Sequence, residues 1–255
     1  MGRPQKREAM HVRHHHWYSP NVSEEMNVMR YGNAGVPILY FPTAGGGFDE
    51  FDYYRLQDDI RPWAEEGRIQ LFSIDGFGRQ TWYNDRLHPC ERVQGHLVYE
   101  KYVIREVAPF ILHLTQKESI GCLGASFGGY YALNTACRYP DFFLWSLSLG
   151  GMFDIRRHLN GYHDMDVYFS NPVEYLPNLM DPYYRSRLGY TIKIVLVSGE
   201  ADKFRQDTEE MHGILSRLGI PHHCEIWDHP CRHHEYWWKK QISSVLSRLY
   251  PFQRR

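Results

Sequence analysis

The stretch Ser119-Ile120-Gly121-Cys122-Leu123-Gly124-Ala125-Ser126-Phe127-Gly128-Gly129-Tyr130 reads as an apolar strand end, a Gly-x-Ser-x-Gly turn and the start of a helix-prone run lasting to Arg138. A serine at the apex of a sharp strand-to-helix turn is exposed and strained. Its neighbours must be small because the incoming and outgoing backbones pass close together, which explains Gly124 and Gly128 on either side of Ser126. The pentapeptide alone equally describes a glycine-rich turn with an incidental serine, so its weight rests on the segments around it.

Upstream, Val36–Phe41 is a compact apolar run, the pattern of a strand buried on both faces, and it ends in Pro42-Thr43-Ala44-Gly45-Gly46-Gly47. A helix is expected over 51–66, then a second buried strand over Ile69–Ile74 ending in Asp75-Gly76-Phe77-Gly78. Residues 79–94 read as a loop carrying Trp82 and Tyr83. Val98, Tyr102, Val103, Val107, Phe110 and Ile111 keep helical spacing over 94–114, where Pro109 should kink or end the helix. Before all of these, extended runs at 12–18 and 26–31 flank the turn-forming Ser19-Pro20-Asn21 and predict an antiparallel pair at a sheet edge, preceded by a frayed tail over 1–10.

Downstream, Phe143–Leu149 is a further strand ending at Gly150-Gly151. Residues 152–189 show no clear periodicity and predict a loop-rich, aromatic excursion over the carboxyl edge of the sheet. A strand over 191–197 runs into Ser198-Gly199-Glu200-Ala201-Asp202. Met211, Ile214, Leu215 and Leu218 make a helix face that Gly219 closes. A last strand at 223–227 leads to a loop at 228–233 and an amphipathic final helix through Trp238, Ile242, Val245, Leu246 and Leu249. Strands alternating with helices predict one α/β domain over 1–255. Its central sheet is mostly parallel and covered by helices on both faces, with an antiparallel N-terminal edge. Ligands of such sheets lie outside the carboxyl ends of the strands, where every glycine-rich loop named above falls.

Composition narrows the function classes. With 29 Lys and Arg against 30 Asp and Glu, the chain has a formal net charge of −1 and no basic field for nucleic acid or an anionic membrane. Five cysteines without a CxxC pair fit reduced thiols in a reducing compartment. No window approaches the ~18 apolar residues of a membrane span, and the polar, basic start is no signal peptide, so a cytoplasmic location is expected. His14-His15-His16 looks like a metal tract, but consecutive strand residues face opposite sides and do not share one ion.

A serine hydroxyl is a weak nucleophile that needs a base, and the base needs an orienting acid. In the α/β-hydrolase arrangement these follow in the order serine, acid, histidine. After Ser126, the next strand end with a well-placed acid offers Asp202, preferred to Glu200. Asp75 precedes the serine and is out of order. The last strand end offers His229, His233 and His234, while His222 and His223 begin the strand and read as structural. No HExxH register supports zinc, and no Lys-Ser/Thr follows Gly45-Gly46-Gly47, so neither a metal nor a nucleotide cofactor is expected. The amide of Phe127 and that of Ala44 or Gly45 are the expected oxyanion donors.

The segments Gly124–Tyr130, Gly199-Glu200-Ala201-Asp202 and His229-Pro230-Cys231-Arg232-His233-His234-Glu235-Tyr236-Trp237-Trp238-Lys239-Lys240 resemble the "putative esterase" family of α/β-hydrolases. That family includes S-formylglutathione hydrolases, feruloyl esterases and mycolyltransferases. The resemblance runs from about Trp17 to the final helix. It implies an α/β-hydrolase fold, with catalytic serine on Ser126, acid on Asp202 and histidine on His233, and His234 as the runner-up. The chain departs from the family pattern at Arg232, usually glycine, and at His234-Glu235, usually Asp-Trp.

The leading expectation is a serine esterase acting on a small-molecule ester through an acyl-enzyme. Acyl transfer to an acceptor other than water and an inactive hydrolase-fold binding protein are the alternatives. Neither the substrate nor the oligomeric state is legible.

Overall fold

The computed structural model describes residues 10–251. The tail expected at 1–10 lies outside the described residues except for Met10, which is buried against the core. Eight strands form one sheet in the order β1-β2-β4-β3-β5-β6-β7-β8. β1 (Val12–Ser19) and β2 (Glu24–Tyr31) pair antiparallel, and β2 pairs antiparallel with β4 (Ile69–Ile74). From β4 onward the sheet is parallel through β3 (Val36–Phe41), β5 (Ile120–Ala125), β6 (Phe143–Leu149), β7 (Lys193–Ala201) and β8 (His222–Arg232).

Alternation along the strands builds two cores, one on each face of the sheet. Leu39, Phe41, Phe72 and Cys122 point to one face and Ile38, Tyr40, Leu71 and Leu123 to the other. The first face is covered by α3 (Pro89–Tyr102), α4 (Ala108–Thr115), α5 (Phe127–Arg138) and α9 (Arg205–Arg217). The second is covered by α1 (Glu50–Tyr53), α2 (Gln57–Glu65) and α10 (Glu235–Leu249), through Phe51, Ile60, Trp63, Trp238, Ile242 and Val245.

Four expectations need correction. The helix expected over 51–66 is two, because Arg55 takes a left-handed φ of 55° between α1 and α2. The helix expected from 94 begins at Pro89, where the His88 ring accepts the Cys90 amide and the Glu91 carboxylate accepts the His88 amide. Pro109 does not end that helix. Lacking an N–H, it leaves the Arg105 carbonyl without its partner, and the chain widens into a π turn over Val103–Val107 before α4 continues. The excursion is mostly short helices: a 3₁₀ turn (Ile155–His158), α6 (Met165–Ser170), α7 (Pro172–Tyr175), a second 3₁₀ turn (Leu176–Asn178) and α8 (Pro182–Tyr190). Aspartates and prolines within the segment start these helices. Asp154, Asp164 and Asp181 cap with their side chains, and Pro172 and Pro182 sit in first turns.

The fifth departure shapes the site. β8 does not stop at Trp227 but runs to Arg232, with a register shift opposite Gly199 and Ala201 that leaves Ala201 paired with Arg232. A bulge of this kind re-aims the residues beyond it, here delivering His233 beside Asp202.

Candidate active site

Ser126 is the tightest point of the backbone, with φ 56° and ψ −122°, a conformation a non-glycine residue holds only when its surroundings enforce it. Its amide donates to the Leu149 carbonyl (2.8 Å) at the end of β6, and the Gly129 amide returns to the Ser126 carbonyl (3.0 Å). A Cβ at Gly124 would overlap the Gly128 carbonyl, and one at Gly128 would overlap the Phe41 carbonyl, so three chain segments meet here backbone to backbone. Ser126 thus stands where β5 turns into α5, beside the carboxyl ends of β3 and β6.

Asp202 follows β7 and is almost completely buried. Its Oδ1 accepts the Phe204 amide (2.8 Å) and faces His233 Nδ1 at 2.9 Å, with Oδ2 at 3.1 Å. One carboxylate therefore both closes the turn ahead of α9 and partners the histidine. The His233 ring is wedged edge-on between Phe204 (centroids 5.0 Å apart) and Trp238 (5.2 Å), which leaves it little freedom to turn. Gly150, at φ 52°, underlies the pair: a Cβ there would come within 2.5 Å of Asp202 Oδ2 and 3.0 Å of His233 Nδ1. Because Leu149 holds Ser126 and Gly150 supports the Asp-His pair, the end of β6 joins the two halves of the site.

The competing residues are occupied elsewhere. Glu200 is exposed and accepts the His229 amide (3.0 Å). His234 is exposed and caps α10 through the Tyr236 amide (3.3 Å). Asp75 pegs the sheet edge, accepting from the Asn27 amide (2.7 Å), its side chain (2.9 Å) and the Phe48 amide (3.3 Å). In the histidine tract, His14 stacks on Phe48 while His15 lies edge-on to Phe110, on opposite sides of β1.

Among the described residues the backbone amides of Phe127, Ala44 and Gly45 carry no hydrogen bond, and neither do those of Gly47 and Gly128. Phe127 is the first residue of α5, so its N–H lacks an intrahelical partner by geometry. Thr43 is already bonded to Glu50 (2.8 Å), which makes the next two amides the available ones.

The Phe127 ring packs against Tyr83 (5.3 Å, nearly perpendicular) and His158 (5.8 Å), and Tyr83 and His158 touch each other at 4.5 Å. Partial burial pushes the Tyr83 hydroxyl up to about 12. His158 lies below the usual histidine range, through burial and the charges of Arg92 and Arg157. It is the excursion residue that reaches Phe127. Of the excursion tyrosines, Tyr162, Tyr168 and Tyr175 pack in or against the core, and Tyr168 and Tyr175 also line a cavity. A cavity of about 500 Å³ lined by Tyr139, Tyr168, Phe169 and Tyr184 sits at the far end of α5 from Ser126.

Sequence reasoning did not single out Glu50, Gly150, Phe204 or His158. Only the left-handed glycine after a strand carried a local signal. All five cysteines are free thiols, and no described helix is long and apolar enough to cross a membrane.

A strand-borne serine elbow and an Asp-His pair with a buried carboxylate, at the carboxyl edge of a mostly parallel sheet, define the α/β-hydrolase class of fold. The family model described as "Putative esterase" matches residues 19–249, and the chain belongs to that family. Among solved structures it is similar to an S-formylglutathione hydrolase from Agrobacterium tumefaciens, with TM-score 0.74, 13% identity and 94% of each chain covered. It is also similar to a ferulic acid esterase, with TM-score 0.73, 14% identity, 93% of this chain and 97% of that one. A curated relative, diacylglycerol acyltransferase/mycolyltransferase Ag85A of Mycobacterium leprae, is 25% identical over 141 residues. That match covers 53% of this chain and 42% of the relative.

Proposed function

We propose that this enzyme is a serine esterase in which Ser126, His233 and Asp202 act as one unit. The observation that carries the reading is the Asp202–His233 pair, its carboxylate buried, and the strained Ser126, both resting on the end of β6 at the carboxyl edge of the sheet. His233 Nε2 takes the Ser126 proton as Oγ attacks the ester carbonyl, and Asp202 keeps the other ring nitrogen protonated and stabilises the imidazolium. The carbonyl oxygen becomes an oxyanion bound by the amides of Phe127 and of Ala44 or Gly45. On collapse the C–O bond to the alcohol breaks, the alcohol leaves with the proton from His233, and the acyl group stays on Ser126. Water, deprotonated by His233, then attacks the acyl-enzyme and releases the acid.

The test is hydrolysis of p-nitrophenyl esters of graded chain length by wild type and Ser126→Ala, with fluorophosphonate labelling of both. Activity and labelling that vanish in the variant support the reading, and activity that survives the substitution overturns it. The match to a mycolyltransferase favours a second reading, acyl transfer to an alcohol or sugar. Under that reading, an added acceptor diverts the acyl group into a new ester at the expense of free acid.

A further inference from the structure

Glu50 is the first residue of α1, yet its side chain is only 5% exposed. Burying a carboxylate costs several kcal/mol unless its lone pairs are filled. Here they are. Oε1 accepts the Tyr40 hydroxyl (2.7 Å) and the Thr43 amide (2.8 Å), and Oε2 accepts the Thr43 hydroxyl (2.5 Å). Tyr40 is a fully buried residue of β3, so the carboxylate is referenced to the sheet. It holds Thr43 by backbone and side chain at once, fixing the first turn of the 42–47 loop. A Cβ at Gly46 would overlap the same carboxylate, so the loop closes around it. The two amides directly after Thr43, those of Ala44 and Gly45, are unpaired.

We propose that Glu50 is a positioning residue that holds the 42–47 loop so that the Ala44 or Gly45 amide points at the ester oxyanion. The inference rests on the esterase reading above. Glu50 touches neither substrate nor nucleophile and acts through Thr43. Only an acceptor with two oxygens takes all three donors without rearrangement. Glutamine comes close: its oxygen serves Tyr40 and the Thr43 amide, and its NH₂ donates to the Thr43 hydroxyl. Alanine leaves the buried Tyr40 hydroxyl and both Thr43 donors without this acceptor and frees the loop.

The experiment compares an O-(4-nitrophenyl) ester with its thiono counterpart, because sulfur accepts hydrogen bonds weakly and a thiono carbonyl gains little from an oxyanion hole. Glu50→Ala is expected to lower kcat/KM for the oxygen ester by about 100-fold, through kcat rather than KM, and for the thionoester by less than about tenfold. Glu50→Gln restores the oxygen ester to within about tenfold of wild type, and Thr43→Val moves the ester-to-thionoester ratio the same way as Glu50→Ala but less. Equal losses on both esters, or no loss on either, overturn the proposal. If Glu50→Ala does not fold by circular dichroism, Thr43→Val decides, and an unchanged ratio overturns it. A wild type that hydrolyses neither ester and is not labelled by a fluorophosphonate removes the esterase reading itself, and this inference with it. Failure confined to the Glu50 and Thr43 variants removes only the role of Glu50.

Discussion

Replacing Asp202 by asparagine tests how one carboxylate serves both the fold and the chemistry. Asp202 Oδ1 accepts a fixed donor, the Phe204 amide at 2.8 Å, and the two carboxylate oxygens face His233 Nδ1 at 2.9 and 3.1 Å. Asparagine has one oxygen. The Phe204 amide has no alternative acceptor, so that oxygen stays with it and the NH₂ turns toward His233 Nδ1. Nδ1 must then accept, which moves the ring proton to Nε2, the atom needed to deprotonate Ser126. The expected loss is about 10⁴-fold in kcat at neutral pH, equivalent to about 5.4 kcal/mol of transition-state stabilisation. KM and thermal stability should change little, because every donor and acceptor in the pair keeps a partner. Glu200→Gln is the control, since Glu200 is exposed and touches only the His229 amide. Steady-state kinetics on a p-nitrophenyl ester, with a thermal melt of each variant, decides the matter. Asp202→Asn retaining more than about a tenth of wild-type kcat, or a collapse in Glu200→Gln instead, would refute the assignment.

Two other predictions address the frame of the site. Gly150→Ala puts a methyl group against the Asp202 carboxylate at a left-handed position, so it should destabilise the fold by about 1–2 kcal/mol and lower kcat while leaving KM near wild type. A melt and kinetics unchanged from wild type would show that the pair does not lean on this residue. His96 is buried against Trp82 and Tyr130, and burial, helped by the Arg138 charge, holds its pKa down to about 3. The unfolded chain takes up this proton below about 6.5 and the native state does not, so stability falls with acidification. The loss between pH 7.5 and 5.0 is about 2 kcal/mol. Glu100, raised by burial, works in the opposite direction, so the readout is a difference. Urea-derived stabilities of His96→Gln should lose about 2 kcal/mol less than wild type over that interval, and equal losses would refute the assignment.

The parts of this molecule legible in the sequence are those whose constraint is local. Val36–Phe41, Ile69–Ile74 and Phe143–Leu149 were readable because a strand covered on both faces must be apolar throughout, and their bounds match the structure. The elbow was readable because the sharp turn itself demands small residues on both sides of Ser126. The placement of Ser126, Asp202 and His233 after separate strands was readable because strand order is fixed by alternation with helices. What escaped depends on residues that meet only after folding. The short helices between Ile155 and Tyr190 have too few turns to show periodicity, and their capping residues are the same ones that make turns. The extension of β8 to Arg232 is specified by its partner β7, whose register shifts at Gly199 and Ala201, and nothing in 228–232 announces it. That unannounced extension separates His233 from His229 and His234. A count of residues past the expected strand end leaves all three in one loop, whereas the bulged pairing of Ala201 with Arg232 puts the next side chain against Asp202. Which histidine meets Asp202 is therefore a property of strand pairing, and it becomes local only once the neighbouring strand is in place.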